Sequence, residues 1–349
     1  MKIAVAMSGG VDSTAAALIL LEQGHEVIGL TLKMHDRSLR GSSGGILAEA
    51  AEAAERLGVP HHVVDVRERF AREIMRPFCA EYTQGRTPNP CVRCDAAIKF
   101  PALASFAGEH GCGAWATGHY TRTGRTPEGR FYISMGADRK KDQSYFLYRL
   151  SQESLSGLIF PLGGLTKNDA RAMVAERGIP CVSRGESQEI CFIPDNDYPG
   201  FISEFTASES PPGEIVGRDG RVLGAHAGIT RYTIGQRRGL GIAAPRPMYV
   251  TGIDAGRNRI IAGFREELEC RGLVAEDISF MKEKSLDGMR VMLKTRSMQP
   301  PFEADLKTDG ASMIAVFREP QIQITPGQSA VFYSADMDIL GGGIIVKSF

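Results

Sequence analysis

Over roughly the first 200 residues, apolar and polar positions form a pattern of short strands and longer helices that follow one another in turn. Strands are predicted for four short apolar runs, at residues 3–6, 27–32, 61–66 and 114–117. Helices are predicted where apolar and alanine positions recur at helical spacing, at residues 13–21, 48–57, 70–82, 98–109 and 167–177. This succession is typical of an α/β fold, and we predict a Rossmann-like, doubly wound parallel sheet.

The pattern changes after the Pro-Pro-Gly of residues 211–213, where short β-like runs alternate with turn-forming pairs such as the Asp-Gly of residues 219–220. Such spacing is typical of small all-β domains. We therefore predict two small β domains after the α/β unit, the last of them a β-barrel. The predicted domains are residues 1–205, 206–272 and 273–349.

Composition narrows the class of protein. At 349 residues the chain exceeds one typical domain. Its formal net charge is +0, so any surface for RNA has to be a local basic patch. No apolar run reaches the ~18 residues that a membrane span requires, and the N-terminus lacks a signal-peptide layout, which together predict a cytoplasmic protein without membrane contact. The seven cysteines are an odd number in a large chain and disfavour a disulfide scaffold.

The most specific candidate for chemistry is Ser8-Gly9-Gly10-Val11-Asp12-Ser13, between the first strand and the first helix. Two glycines let the backbone approach a phosphate, while helix N–H groups and the two serine hydroxyls can donate to it. Asp12 would repel a bare phosphate, which favours a site that also holds Mg²⁺. The missing Gly-Lys-Ser/Thr excludes the Walker loop, and the missing third glycine excludes the dinucleotide fingerprint. The alternative is a glycine-rich turn that binds no ligand.

Two cysteines in Cys91-Val92-Arg93-Cys94 follow a proline-rich stretch, and we predict a rigid loop ahead of a helix that begins near Ala96. A thiol near a helix N-terminus and beside Arg93 is expected to have a lowered pKa. Three interpretations stay open: the pair belongs to a structural zinc site, forms a thioredoxin-like dithiol, or joins Cys191. In the third, three thiolates either relay a persulfide sulfur or hold three irons of a [4Fe–4S] cluster. We predict inert, buried thiols for the other four cysteines, Cys79, Cys112, Cys181 and Cys270.

Several blocks of sequence, in one order along essentially the whole chain, resemble the tRNA-specific 2-thiouridylases of bacteria and mitochondria, members of the ATP-pyrophosphatase superfamily. The blocks lie at residues 6–13, 85–90, 98–100, 116–120, 141–147, 191–193, 233–240 and 326–328. The resemblance implies an ATP-pyrophosphatase catalytic domain, a central β-rich domain and a C-terminal β-barrel. It also implies an enzyme that releases PPi from ATP and, through an adenylated intermediate, thiolates uridine 34 at C2 in the tRNA wobble position.

The resemblance further implies roles for individual residues. ATP is bound by Ala6, Met7, Ser8, Gly9, Gly10, Val11, Asp12 and Ser13, with Leu32 and Gly118 lining the nucleotide site. Cys94 matches the catalytic nucleophile and Cys191 the cysteine that carries the persulfide, and we expect Asp12 to assist Mg²⁺ in catalysis. Contacts to the tRNA are implied for Asn89, Pro90, Cys91, His119, Lys141, Asp142, Gln143, Arg296, Ser297 and Gln328.

Position 91 departs from the family, whose best-known members carry aspartate where this chain has Cys91. Because that aspartate supports the nucleophile as an acid–base group, the cysteine weakens a plain persulfide relay. A third thiolate favours a [4Fe–4S] cluster on Cys91, Cys94 and Cys191. The implied partners are tRNA and a sulfur donor, which is a cysteine desulfurase, a relay protein or free sulfide.

Two other classes of protein are compatible with parts of the sequence. Another ATP-pyrophosphatase enzyme, such as an amide-forming synthetase, would share the loop at residues 8–13 but would need neither the three cysteines nor a β-rich tail. A non-catalytic RNA-binding or iron–sulfur module would need no intact nucleotide loop. Both features together favour the thiolating enzyme.

Overall fold

The computed structural model describes residues 1–36, 45–179, 190–193 and 195–349. The strands of its first part are β1 (Lys2–Ala6), β2 (Glu26–Lys33), β3 (His61–Asp65), β4 (Ala114–Ala116), β5 (Thr121–Arg125), β6 (Phe131–Met135) and β7 (Leu158–Ile159). Its α-helices are α1 (Val11–Glu22), α2 (Gly45–Leu57), α3 (Arg67–Phe70), α4 (Arg76–Thr83), α5 (Pro90–Cys94), α6 (Phe100–Glu109), α7 (Gln152–Ser156), α8 (Lys167–Glu176) and α9 (Tyr198–Thr206). Two π-helical turns, Ala71–Met75 and Asp95–Lys99, continue α3 into α4 and α5 into α6.

Five strands form one parallel sheet in the order β3-β2-β1-β4-β7. Successive residues of a strand point to opposite faces. Accordingly, Ile3 and Val5 pack in the cluster that includes residues of α1 and α2, whereas Ala4 and Ile28 pack with residues of α6 on the other face. Because both faces are covered by helices, the predicted doubly wound parallel sheet is confirmed.

The predicted strands and helices of this unit are present, with shifts of a few residues at their ends. The helix after Thr166 begins with a capping box, because the Thr166 hydroxyl accepts from the Asp169 N–H and Asp169 accepts from the Thr166 N–H. The hydrophobic pattern does not predict β7, since a strand of two residues has no detectable period. It also misses the β5–β6 hairpin. Cys181 and residues 187–189 lie outside the described residues.

The central β unit is a four-stranded sheet in the order β10-β11-β8-β9. Its strands are β8 (Gly213–Val216), β9 (Val222–His226), β10 (Tyr249–Asp254) and β11 (Arg259–Gly263). The pair β8–β11 is parallel, and the other pairs are antiparallel. Ile215, Val250 and Ile260 form the centre of its core and are fully buried.

The C-terminal unit is the predicted closed barrel, in the order β12-β15-β14-β13-β16-β17. Its strands are β12 (Glu269–Phe280), β13 (Arg290–Lys294), β14 (Phe302–Asp309), β15 (Ser312–Ile322), β16 (Ser329–Tyr333) and β17 (Ile339–Ser348). Closure leaves no free sheet edge, which removes the aggregation hazard of an open β unit.

A buried seam joins the barrel to the α/β unit. The Tyr145 hydroxyl donates to the Ser329 carbonyl at 2.9 Å, and the hydroxyls of Ser144 and Tyr333 lie 3.1 Å apart. The rings of Tyr145, Tyr148 and Tyr333 belong to one buried apolar cluster. Much of the 141–147 block thus serves to fix the barrel against the sheet. Within the described residues, no helix combines the length and apolarity needed to cross a membrane.

Candidate functional site

The loop at residues 8–13 lies at the carboxyl end of β1, in the middle of the sheet. Strand order reverses between β1 and β4, and ligands of open α/β sheets bind at such a switch point. Gly10 is the N-cap of α1 and provides no side-chain cap, so the first N–H groups of this helix keep no intrahelical partner. This is the geometry of an anion site.

Contacts within the loop differ from the prediction for Ser13. Its hydroxyl donates to the Gly10 carbonyl at 3.1 Å and accepts from the Ser8 N–H at 3.1 Å, so Ser13 braces the loop from inside. The Ser8 hydroxyl lies 3.2 Å from that of Ser13, and Ser8 is the exposed one of the two serines. Gly9 has a φ of 73°, and a Cβ there would lie 2.5 Å from the Glu49 Cβ. Only glycine fits under α2 at this position.

Asp12 is held by two groups that come from distant parts of the chain. The Lys167 Nζ lies 2.5 and 2.6 Å from its two carboxylate oxygens, and the Tyr120 hydroxyl donates to Oδ1 at 2.7 Å. Burial and this hydrogen bond raise the pKa of Tyr120. Gln143 in turn fixes Tyr120, because its Oε1 accepts from the Tyr120 N–H at 3.1 Å. A cation is thereby fixed beside the loop.

The two other predicted nucleotide residues lie at neighbouring strand ends. Leu32 is half-buried near the carboxyl end of β2. Gly118 follows β4, and a Cβ there would lie 2.6 Å from the backbone carbon of Asp12. Gly118 therefore lets the β4 loop contact the nucleotide loop directly.

The cysteine pair lies inside a helix, which corrects the prediction of a rigid loop ahead of Ala96. Asn89 is the N-cap of α5, and its Oδ1 accepts from the N–H groups of Cys91 at 3.2 Å and Val92 at 3.5 Å. Pro90 occupies the first helical position, where its fixed φ and missing N–H are favourable. Asn-Pro is thus the start signal of this helix.

The prediction of a lowered thiol pKa is also wrong. Burial raises the pKa of Cys91 to about 11 and raises that of Cys94 further. Cys94 is 4% exposed and directs its thiol at the Met34 sulfur, 3.9 Å away. Arg93 points to solvent and does not offset this desolvation. Both thiols are protonated at neutral pH.

An ion pair between a half-buried lysine and a buried aspartate follows directly in the π-helical turn. The Lys99 Nζ lies 2.8 Å from Oδ1 of Asp95, whose side chain is 3% exposed. Burial acts to lower the pKa of Lys99, but Asp95 and the thiols of Cys94 and Cys91 outweigh it and hold this pKa well above its usual value. Lys99 is therefore a permanent cation beside the cysteines, and it acts to lower each thiol pKa against the effect of burial.

The structure brings Cys191 to the same place. Phe192 and Ile193, which follow it, pack in the apolar cluster that contains Cys94. Cys191 is exposed to solvent, yet the protein around it is dense enough that desolvation raises its pKa. The Cys191 thiol also acts electrostatically on Cys94, so the two thiols lie near each other.

His119 connects the two halves of this site. Its Nδ1 lies 2.7 Å from the Thr117 hydroxyl, and its ring packs beside Phe100 and Phe160. Burial lowers the pKa of His119 to about 4, while the charges of Asp95 and Asp12 act in the opposite direction. The imidazole is therefore neutral at pH 7. Its pKa is affected by charges of both the cysteine helix and the loop at residues 8–13.

Several predicted tRNA contacts make internal hydrogen bonds. Asp142 accepts from Gly136 N–H and the Ser144 hydroxyl. Arg296 Nη2 donates to the carbonyl and Oε1 of Gln323. Gln328 Nε2 donates to the Thr87 carbonyl at 2.8 Å. The remaining two, Lys141 and Ser297, are half-buried.

The other thiols fit their prediction as far as they are described. Cys79 and Cys270 are buried, Cys112 is partly buried, and burial raises the pKa of each. The six cysteines in the described residues are all free thiols.

Sequence reasoning missed four residues of the site, Lys167, Tyr120, Asp95 and Lys99. Two of them carry a signal. A lysine at the first position of α8 opposes the helix dipole, which indicates an acidic partner elsewhere. The spacing of Asp95 and Lys99, four residues apart, indicates an ion pair on one helix face. Tyr120 carries no comparable signal.

Comparison with known proteins covers the whole chain. Three family models match in sequence: a tRNA methyl transferase HUP domain over residues 1–195, a tRNA methyl transferase PRC-barrel domain over 200–263 and an aminomethyltransferase beta-barrel domain over 270–345. These descriptions name methyl and aminomethyl transfer, whereas the full-length relatives are named for thiolation. Relatives that match from end to end are the better guide to the family.

One such relative, the tRNA-specific 2-thiouridylase MnmA of Geobacter metallireducens, is 44% identical over 99% of this chain and 96% of its own length. The protein of that name from Pelobacter propionicus is 43% identical over 100% of this chain and 98% of its own. A solved 4-thiouridine synthetase–RNA complex with bound ATP covers 59% of this chain and 50% of its own at 18% identity, with a TM-score of 0.40, too low to support a conclusion. On the full-length matches, the chain belongs to the tRNA-specific 2-thiouridylase family.

Proposed function

We propose that this enzyme uses ATP to replace the C2 oxygen of uridine 34, in the tRNA wobble position, by sulfur. The observation that carries the proposal is the full-length match to proteins named tRNA-specific 2-thiouridylase, at 44% identity over 99% of the chain. Two features support it: the N-terminus of α1, which has no side-chain cap, and the neighbouring thiols of Cys91, Cys94 and Cys191. An amide-forming synthetase would use the former but not the latter.

The first step takes place at the nucleotide loop. ATP would lie against residues 6–13, with Leu32 and Gly118 on either side. The uridine O2 attacks the α-phosphorus, PPi leaves, and an O2-adenylated uridine results. Lys167, fixed by Asp12, supplies positive charge next to the phosphates, where a fixed cation is most effective in stabilising the transition state.

Mg²⁺ is implied by the use of ATP, but Asp12 does not offer it a ligand in this arrangement. Both carboxylate oxygens of Asp12 already contact Lys167, and Oδ1 also accepts from Tyr120. We therefore assign Asp12 the role of orienting Lys167. Mg²⁺ bound to the phosphates themselves would need no carboxylate from the loop.

The second step takes place at the cysteine site. A cysteine desulfurase or a relay protein, which carries sulfur as a persulfide, transfers that sulfane sulfur to Cys191 and leaves as a free thiol. Free sulfide lacks the oxidation level of a persulfide and would serve as donor only in the cluster alternative. The terminal sulfur attacks C2 and AMP leaves. Cys94 then attacks Cys191 Sγ, which releases 2-thiouridine and leaves a Cys94–Cys191 disulfide for an external thiol to reduce. Exposure of Cys191 suits loading, and burial of Cys94 suits a thiol used only in the last exchange.

A [4Fe–4S] cluster on Cys91, Cys94 and Cys191 is the alternative form of the sulfur site. The donor chemistry fits, since Cys91 and Cys94 lie one helical turn apart and Cys191 faces them. The spacing does not, because no three His, Cys, Asp or Glu side chains among the described residues converge on one metal position. Iron analysis of anaerobically purified protein decides between the two.

The tRNA side of the site is proposed from the resemblance. Asn89, Pro90 and Cys91 lie at the start of α5, where an unstacked wobble base would reach both loop and thiols. By the resemblance, five further residues would contact the tRNA: His119, Lys141, Arg296, Ser297 and Gln328. Asp142 and Gln143 would support them through their internal hydrogen bonds. The reaction would take place in the cytoplasm, with residues 1–205 as the catalytic domain and residues 206–349 as the RNA-binding β domains.

The full reaction tests the proposal. Anaerobic protein is incubated with ATP, a cysteine desulfurase and cysteine as the persulfide source, a thiol reductant and a tRNA transcript that carries a wobble uridine, and the digested RNA is measured by mass spectrometry. We expect one 2-thiouridine per AMP and PPi formed, and none with a transcript that carries cytidine at position 34. Release of PPi in the absence of tRNA would favour a synthetase instead. So would PPi release with a digested RNA that contains no 2-thiouridine.

A further inference from the structure

The turn between β15 and β16, residues 323–328, contacts three separate parts of the molecule. At its start, Gln323 adopts a φ of 59°, a left-handed conformation that is uncommon for a residue with a side chain. Its Nε2 donates to the Gly235 carbonyl of the central β unit at 3.2 Å. Its carbonyl and Oε1 each accept from Arg296 Nη2 at 3.1 Å. The strain is therefore balanced by three hydrogen bonds to two other loops.

The other end of this turn rests on the segment that leads into the cysteine helix. The Thr87 N–H donates to the Pro326 carbonyl at 2.9 Å, and Gln328 Nε2 donates to the Thr87 carbonyl at 2.8 Å. A Cβ at Gly327 would lie 2.9 Å from the Thr87 backbone, so the two segments touch. Thr87 precedes α5 by three residues. One short turn thus links Arg296, the Gly235 loop and the entrance to α5.

The Gly235 loop carries two unassigned arginines. Gln236 fixes its shape, since its Oε1 accepts from the Thr233 N–H at 3.1 Å and its Nε2 donates to the Arg238 carbonyl at 2.9 Å. Arg237 and Arg238 are both exposed, and neither forms an ion pair with any residue that the structure describes. Two such arginines on a braced loop are available to an anionic ligand.

We propose that Gln323 is a positioning residue that holds Arg296 and the Arg237–Arg238 loop together as one phosphate-binding surface for the tRNA backbone. This inference rests on the proposed function. Because Arg296 belongs to the barrel and Arg237 to the central unit, only a link between the units can fix the spacing of their charges. Without it, each tRNA-binding event would have to fix the position of the loop relative to Arg296, and the entropy lost in doing so would weaken affinity.

Two variants of Gln323 separate its contacts. Gln323→Gly keeps the left-handed backbone and removes both side-chain hydrogen bonds. Gln323→Glu keeps the acceptor for Arg296 and loses only the donor to Gly235. The matched control is Gln321→Ala, because the Gln321 side chain bonds only to the nearby Glu319 carbonyl. Each full-length variant is assayed for tRNA binding across a salt series, for kcat and KM, and for melting temperature.

We expect Gln323→Gly to raise the Kd and KM for tRNA about tenfold, with kcat at saturating tRNA changed less than about threefold and the melting temperature close to wild type. The slope of log K against log salt should fall by roughly one to two, as contacts to phosphate are lost. Gln323→Glu should lie between wild type and Gln323→Gly. Arg237→Ala with Arg238→Ala should weaken wild-type binding but add little to Gln323→Gly, because the same contacts are already lost.

Unchanged tRNA affinity and salt slope in Gln323→Gly would overturn the inference while leaving the proposed function intact. Fully additive effects of the arginine and Gln323 variants would overturn it as well, since the arginines would then act independently of Gln323. Wild-type protein that neither binds nor thiolates tRNA would instead remove the proposed function.

Discussion

The nucleotide loop and the cysteine helix both place their key residues at the N-terminus of a helix, yet only one of these helix ends remains open to an anion. At α1 the N-cap is Gly10, which has no side chain to occupy the first N–H groups. At α5 the Asn89 side chain accepts from two of them. The first end keeps its donors for a ligand, and the second uses them for its own stability.

The thiol pKa values show the consequence. A helix N-terminus lowers the pKa of a thiol when the thiol lies close to the helix end and the thiolate remains in contact with solvent. Cys94 is 4% exposed, and desolvation dominates. Stabilisation of negative charge at this site comes instead from Lys99, which Asp95 holds in place. The loop at residues 8–13 relies on backbone dipoles, whereas the cysteine site relies on the Lys99–Asp95 side-chain pair.

The largest effect should come from a variant that removes the chemistry of the cysteine site and leaves that of the loop at residues 8–13 intact. Cys94→Ala should abolish 2-thiouridine formation, because no thiol remains to release the sulfur from Cys191. ATP–PPi exchange in the presence of tRNA should persist, since the nucleotide loop is untouched. Radiolabelled PPi incorporation and mass spectrometry of the digested tRNA measure the two activities, with Cys270→Ala as the matched control. Loss of both activities would contradict the division.

Lys167→Met should act on the other region. Removing one fixed positive group from a transition state typically lowers kcat about 100-fold, and we expect a loss of this size in ATP–PPi exchange. Thiol alkylation at Cys91 and Cys94 should be unchanged. Lys307→Met removes an exposed lysine of β14 and serves as the control. A rate of ATP–PPi exchange within about threefold of wild type would rule out this role for Lys167.

Gly118→Ala tests the contact between the β4 loop and the nucleotide loop. The new Cβ would lie 2.6 Å from the Asp12 backbone, so one of the two segments has to move. We expect a loss of stability of about 1–3 kcal/mol and a Kd for ATP raised roughly tenfold. Gly164→Ala is the control, since nothing lies within 4 Å of its added Cβ. Calorimetric titration with ATP and urea unfolding measure both quantities, and equal behaviour of the two variants would contradict the packing argument.

Cys91→Asp introduces the aspartate that the resemblance to the family implies at this position. In the persulfide mechanism Cys91 neither carries nor releases sulfur, and we expect thiolation to remain within about threefold of wild type. Iron content should be the same before and after the change. A joint loss of iron and activity would establish the cluster instead.

The smallest effect concerns acid stability through His119. Its pKa is about 4 in the fold and 6.5 when unperturbed, so the unfolded chain binds more protons between these values. The stabilisation from a neutral His119 is complete above pH 6.5 and is lost as pH falls towards 4. Between pH 7.5 and 5 we expect the free energy of unfolding of wild type to fall by up to about 2 kcal/mol more than that of His119→Gln. Urea unfolding measures both values. Equal losses in both proteins would show that His119 does not titrate in this way.

Local patterns predicted the elements that depend on local interactions. The four predicted strands, the helix cap at Thr166 and the nucleotide loop all follow from contiguous residues with a clear period or turn signal. The sequence did not predict β7, since two residues carry no period and Leu158 joins the sheet only because Trp115 of β4 is beside it. The start of α5 was predictable from Asn89 and Pro90, because an asparagine N-cap followed by proline is a local signal.

By itself, the sequence determined most of the order of strands and helices, the position of the loop at residues 8–13 and the family. These depend on short-range preferences and on blocks of residues that need no partner. Only the tertiary structure decided the pairing of Asp12 with Lys167, the burial that raises the Cys94 pKa and the three-way junction at Gln323. Each of these depends on residues that are far apart in sequence, and their energies are set by desolvation and by distances that only the folded chain defines.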